Sequence, residues 1–160
     1  MTYNMGFPIK LSEIIGVIEI QPEDSAAYVN KKTREIVAPT EESFTAAENE
    51  APLEEYTEWQ QEDIKAAREI LDHEEDYLEL PTRFDINEYR IMEKFCLSVE
   101  DREASEVLYG AIKGRGAFRR FKDTVSRLNL ADEWYQYRDQ AIRQIAIDWC
   151  ELHKIKFTEE

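Results

Sequence analysis

Apolar positions along this chain recur mostly at helical intervals, broken at a few points by strand-like runs and turn residues. Over residues 10–20, Leu11, Ile14, Ile15 and Ile18 fall three or four apart with Ser12 near the start. Their β-branched side chains also suit a strand, but the spacing predicts a short helix. Two strand-like runs follow, residues 26–30 and 34–37, across the polar link Lys31-Lys32-Thr33, and predict a β-hairpin that Pro39 ends. Residues 40–58 set Glu41, Glu42, Glu48, Glu50, Glu54, Glu55 and Glu58 among small residues and Pro52. Such a composition buries little and predicts an acidic mobile connection or a frayed helix.

From residue 59 to 75 the spacing predicts a helix with Ile64, Ala67, Arg68 and Leu71 on one face and Glu62, Asp63, Glu69 and Asp72 on the other. Residues 77–81, Tyr-Leu-Glu-Leu-Pro, read as an extended link before proline. Asp85 and Glu88 form a capping-box pair that opens a helix through Ile86, Tyr89, Met92, Cys96 and Val99. Ser98 with Asp101 caps the next helix, whose stripe is Ala104, Val107, Leu108 and Ile112 and whose end Gly114 marks. A further helix carries Phe118, Phe121, Val125 and Leu128. The last, over residues 132–153, carries Trp134, Arg138, Ala141, Ile142, Ile145, Trp149 and Leu152. Phe118, Phe121, Trp134, Ile145 and Trp149 are expected to be buried together. The fold class is α+β, predominantly helical: an N-terminal helix and β-hairpin followed by a bundle of four or five helices, in a single domain over residues 1–160.

The four blocks Tyr77-Leu78-Glu79-Leu80-Pro81, Asp85-x-x-Glu88-Tyr89-x-x-Met92-x-x-Phe95, Gly114-Arg115-Gly116-Ala117-Phe118-Arg119-Arg120-Phe121-Lys122-Asp123 and Trp134-Tyr135-x-Tyr137-Arg138-Asp139 occur in that order. In them the chain resembles uncharacterised protein family 0158 of the UPF series, a prokaryotic family. The likeness runs over residues 77–153, with the Gly-Arg-Gly-Ala-Phe-Arg block its most specific part. That family has no assigned activity, cofactor or catalytic residues, so the resemblance implies none. Residues 40–76 are least like its shared blocks.

Charge narrows the function classes. The formal net charge is -15, from 35 acids and 20 bases. Residues 1–100 hold 24 acids against 9 bases, and residues 101–160 hold 11 of each. An acidic half of this kind repels nucleic acid and favours a basic protein partner. Glu69, Asp72, Glu74, Glu75 and Asp76 are the candidate partner-binding residues, against the plainer reading of a solvated face; they lack EF-hand spacing. No run reaches the roughly 18 apolar residues of a membrane span, and the first residues, Met-Thr-Tyr-Asn-Met-Gly, lack a secretion signal, so a cytoplasmic location is expected. Cys96 and Cys150 form no paired motif.

A second candidate is the junction at residues 113–120, where Lys113, Gly114, Arg115, Gly116, Arg119 and Arg120 form an anion-binding set. Glycines permit left-handed backbone, and a helix start with nearby cations can hold a phosphate or carboxylate. The segment lacks the Gly-Lys-Ser/Thr ending of a Walker loop, and no strand precedes it. Its plainer reading is a glycine cap between helices with the arginines paired to the protein's own carboxylates. Trp134, Tyr135, Tyr137 and Trp149 could stack nucleobases beside Arg119 and Arg120, but a helical aromatic stripe is more often core, so nucleic acid is the weaker partner. Cys150 and His153 share a helix without completing a metal set or a nucleophile pair, and His73 and Cys96 stand apart. The sequence therefore points to no catalytic residue, metal or cofactor. It favours an interaction protein, with nucleotide, phosphate or nucleic-acid binding at the Gly114–Arg120 junction as the alternative.

Overall fold

A computed structural model describes residues 8–21 and 26–159. The signal-free N-terminus expected from the first six residues lies outside them. The chain divides into two compact units, Met1–Asp85 with Ala146–Glu160, and Ile86–Ile145. The architecture is predominantly helical α+β, and among the described residues no helix is long and apolar enough to cross a membrane.

In the first unit, β1 (Ile9–Lys10) runs directly into α1 (Leu11–Ile20), which buries Leu11, Ile14 and Ile18 at the expected spacing. β1 pairs in parallel with β5 (Phe157–Thr158), a two-residue strand near the far end of the sequence. The expected hairpin is present as β2 (Tyr28–Asn30) and β3 (Ile36–Val37), paired antiparallel. Asn30 Oδ1 folds the link by accepting from the N–H groups of Lys32 and Thr33, at 2.8 and 3.1 Å. Residues 77–81 correct the expectation of a simple link. Their first three form β4 (Tyr77–Glu79), which pairs antiparallel with the other edge of β2, giving the order β3-β2-β4.

The acidic stretch 40–58, expected as a mobile connection or frayed helix, contains α2 (Glu41–Glu48) and a single 3-10 turn over Leu53–Glu55. Thr40 caps α2: its Oγ1 accepts from Ser43 N at 3.1 Å, and Glu41 and Glu42 sit in the first turn, where the helix dipole favours negative charge. The backbone N–H of Thr40 also donates to Asp63 Oδ2 at 2.9 Å, which ties the start of α2 to α3 (Glu58–Asp72). Ala46 and Ala47 bury against Ile64 and Ala67 of α3, with Phe44, Tyr56 and Leu71 packed round them. Alanine is small enough to bring two helices close while the glutamates face outward, so an acidic segment still makes a core.

The second unit holds α5 (Glu88–Ser98), α6 (Arg102–Ala111), α7 (Ala117–Arg127) and the first part of α8 (Ala131–Leu152). The boundary before α5 differs from the expected Asp85–Glu88 box. Asp85 instead pairs with Thr82 at the start of a short helix, α4 (Arg83–Ile86): Thr82 N donates to Asp85 Oδ2 at 2.9 Å and Asp85 N to Thr82 Oγ1 at 3.2 Å. Asn87, at a φ of 51°, then caps α5 by accepting from Arg90 N at 3.2 Å. Of the expected Ser98–Asp101 pair, Asp101 alone caps α6, accepting from Ala104 N at 3.1 Å, whereas Ser98 ends α5 and donates from its Oγ to Phe95 O at 2.7 Å. Glu88 and Arg138 form a two-point ion pair at 3.1 and 3.2 Å. Phe95 sits among Phe121, Trp134 and Tyr137 in edge-to-face contacts, with centroids 6.1, 5.4 and 5.4 Å away.

The buried face of α7 is Ala117, Phe121, Thr124 and Val125, and Phe118 is half exposed. This corrects the expected Phe118–Phe121–Val125 stripe. Ala117 and Phe121 are one turn apart, and Phe118 lies about 100° round the helix from Ala117. Trp149 is buried, but in the other unit, where its Nε1–H donates to Glu79 O at 3.0 Å. Ile145 is only partly buried, and Leu152 and Val107, both expected on apolar stripes, are exposed.

Candidate functional site

The 113–120 junction follows from two left-handed glycines. Gly114 and Gly116 have φ of 78° and 73°, which let the chain reverse between α6 and α7 without the strain a β-carbon would add. Arg120, in the first turn of α7, reaches back across the reversal. Its Nε donates to Ala111 O at 2.9 Å, and its two terminal nitrogens donate to the carbonyls of Lys113 and Arg115. The carbonyl of Ala111 is one left over at the end of α6, where a cation also meets the negative end of the helix dipole, and the other two belong to the loop. Arg120 thus clasps the loop through backbone oxygens, not through carboxylates such as Asp123. Three of its five N–H donors are committed in this way, which leaves Arg120 less free than Arg115 or Arg119 to hold a phosphate.

The other members of the set are disposed differently. Arg115 and Arg119 are exposed, and their side chains make no hydrogen bond or ion pair with any described residue. Lys113 Nζ sits 4.6 Å over the ring of Tyr109. Gly116 opens α7 without a side-chain cap, so the first N–H groups of that helix lack a side-chain acceptor at the cap position. Beside the clasp runs an open groove of about 500 Å³ lined by Val107, Ala111, Arg120, Asp123, Thr124 and Arg127. Arg120→Ala should lower the unfolding free energy by about 1–3 kcal/mol, because it strips charged donors from three carbonyls. Arg115→Gln with Arg119→Gln should change it by about 0.5 kcal/mol or less. Urea denaturation of the two variants checks this contrast.

The acidic candidates lie at the end of α3 and in the 3-10 turn after it, Glu74–Asp76. Glu69, Asp72, Glu74 and Glu75 are exposed. Asp76 is turned inward: its carboxylate is 3.4 Å from Lys32 Nζ, and its carbonyl accepts from Lys31 N at 2.8 Å. It fastens the turn to the β2–β3 link. His73, Glu75 and Asp76 can each offer one ligand atom, all within 4.8 Å of one another, but Asp76 already faces Lys32. Asp76 therefore leaves the expected exposed set, and a run of acids does not by itself reveal which one a lysine holds.

Trp134 is buried in the aromatic cluster of the second unit, where Tyr137 also packs, whereas Tyr135 is exposed. The His153 ring lies 4.9 Å from that of Trp149. Cys96 and Cys150 are fully buried, and burial pushes both thiols up to about 11. Held as thiols by burial, neither is an activated nucleophile at neutral pH. These raised values carry a stability consequence. Below about pH 9 both groups are protonated in either state and their contribution is complete. Between about pH 9 and 11 the unfolded chain ionises first, so folding stability should fall by up to about 1.4 kcal/mol per pH unit for each thiol. Urea titrations across that range measure the fall, and iodoacetamide at neutral pH should label the thiols only after unfolding.

One groove had no counterpart in the sequence reading. Between α2 and α3, Glu42, Tyr56, Trp59 and Gln60 surround a partly open space of about 90 Å³ above the buried Ile64. Trp59 is 62% exposed, and Glu42 makes no hydrogen bond or ion pair with a described residue. The available signal was a tryptophan in the first turn of an amphipathic helix, off its Ile64–Ala67–Leu71 stripe.

A UPF0158 protein of Pseudomonas aeruginosa is 31% identical over 67 residues, which cover 41% of this chain and 44% of that protein. No solved structure matches. The family model described as "Uncharacterised protein family (UPF0158)" matches residues 55–160, from the 3-10 turn before α3 to the end of the sequence, and the chain belongs to that family.

Proposed function

We propose that this is a non-enzymatic interaction protein whose acidic surface engages a basic protein partner. The observation that carries the reading is the segregation of charge between the units. The residues of the first hold 25 acids against 9 bases, and those of the second hold 10 against 11. The whole excess therefore belongs to one unit. Its exposed acids include Glu69 and Asp72 in the last turns of α3, which has no basic residue in its last turn. Carboxylates there face the negative end of the helix dipole and cost helix stability, so helix formation does not account for them. A partner's cations would offset that cost.

The test is binding of a fluorescently labelled, short alternating arginine–glycine peptide to the full chain. Binding at low ionic strength should disappear near 1 M salt, where the Debye length is about 3 Å. The variant Glu69→Gln, Asp72→Asn, Glu74→Gln, Glu75→Gln should bind more weakly. Absence of binding by the wild-type chain at low salt contradicts the reading.

A second reading has its own observation, the uncapped start of α7 beside Arg115 and Arg119, and it predicts that a phosphate or nucleotide binds there. Calorimetric titration with inorganic phosphate, repeated on Arg115→Gln with Arg119→Gln, tests it. Retention of binding by the double variant removes the junction as the site.

A further inference from the structure

We infer that the groove between α2 and α3 is a receptor for one arginine side chain of the basic partner, an inference that rests on the acidic-surface reading and gives it a specific contact. At about 90 Å³ the space is well below the roughly 300–1,000 Å³ of small-molecule sites, so it takes the end of a side chain, not a cofactor. Its walls match a guanidinium. The indole of Trp59 is 62% exposed and Tyr56 also lines the groove, so it is bordered by aromatic side chains of the kind on which a flat cation stacks. Glu42, on the opposite helix, brings a carboxylate that no described residue holds. Ile64 beneath is buried and apolar, so the arginine's methylenes meet a dry surface while its charged end reaches Glu42 at the rim.

The groove is also held open in its present form. Thr40 is bonded to Asp63 through both its backbone N–H and its hydroxyl, at 2.9 and 3.2 Å, and Gln60 Oε1 accepts from Thr57 N at 3.1 Å. These bonds fix the starts of both helices, so the receptor exists before the partner arrives and little ordering is required on binding. Glu41 and Glu58, exposed in the first turns of the same helices, add negative charge around the rim. Arginine is favoured over lysine because an ammonium cannot stack its charge flat on the indole and pair with a carboxylate along its edge.

The experiment uses the full chain and the alternating arginine–glycine peptide, read by acrylamide quenching of tryptophan fluorescence. Trp134 and Trp149 are buried, so Trp59 is the exposed indole the quencher reaches. Peptide binding should shield it. Trp59→Ala and Glu42→Gln should each weaken peptide affinity by about five- to tenfold, with an unchanged circular dichroism spectrum because both side chains are exposed. An alternating lysine–glycine peptide should bind more weakly than its arginine counterpart. If wild-type protein binds the arginine peptide while both variants match it, the groove assignment is overturned and the acidic-surface reading stands. Failure of the wild-type chain to bind any basic peptide removes both. Equal affinity for the lysine peptide overturns the assignment to arginine.

Discussion

Phe121→Ala is expected to lower the unfolding free energy by about 3–5 kcal/mol, a large share of the roughly 5–15 kcal/mol that holds a domain folded. Phe121 is 1% exposed and packs edge-on against Trp134 with centroids 4.7 Å apart and against Phe95 at 6.1 Å. Truncation loses the transfer of the ring from water, leaves a cavity, and removes two aromatic contacts whose geometry adds to area burial. Phe118 on the same helix is half exposed, and its replacement by alanine should cost about 1 kcal/mol or less. Urea denaturation of both variants makes the comparison. Equal losses would mean that the helix presents the 118–121–125 stripe to its core after all.

Trp149→Ala should cost a similar amount, about 3–5 kcal/mol, for a partly different reason. Its ring is nearly buried in the first unit, packed beside His153, and its Nε1–H donates to the carbonyl of Glu79 on β4. Removing the side chain opens a cavity and also takes a donor from the sheet. Trp149→Phe keeps most of the apolar volume and loses the hydrogen bond, so it should cost about 1–2 kcal/mol. Denaturation of the two variants separates packing from hydrogen bonding. A phenylalanine variant as unstable as the alanine one would show that the bond to Glu79, not ring burial, dominates.

What the sequence made legible was mostly local. The helical periods of α1, α3, α5 and α8 and the Asp101 cap depend on residues within a turn or two of each other. The β2–β3 hairpin likewise closes through its own short link. The pairings that failed to show were distant: Ile9 with Phe157, and Val29 with Leu78, whose strands are too short to carry a period of their own. α2 was legible only as one of two alternatives, a frayed helix, because its core face is alanine, which carries less pattern than the glutamates around it. Ala117 hid the true face of α7 in the same way. The junction residues were legible as a set, but the role of Arg120 was not, since its acceptors are backbone carbonyls that any sequence would supply. The burial of Asp76 was not legible either, since its partner Lys32 lies far back in the chain. Of the α2–α3 groove only Trp59 carried a signal, and its meaning depended on the packing of α2 against α3, which the composition does not reveal.

The central claim is that residues of the acidic unit, not the 113–120 junction, meet the partner. Its most direct test is a backbone amide chemical-shift map of the isotope-labelled full chain titrated with the alternating arginine–glycine peptide. The account predicts saturable shifts concentrated over residues 40–76, strongest near Glu42, Trp59 and the end of α3, and abolished by high salt. Shifts that instead gather at Gly114–Arg120, or a spectrum that the peptide leaves unchanged at low salt, would contradict it.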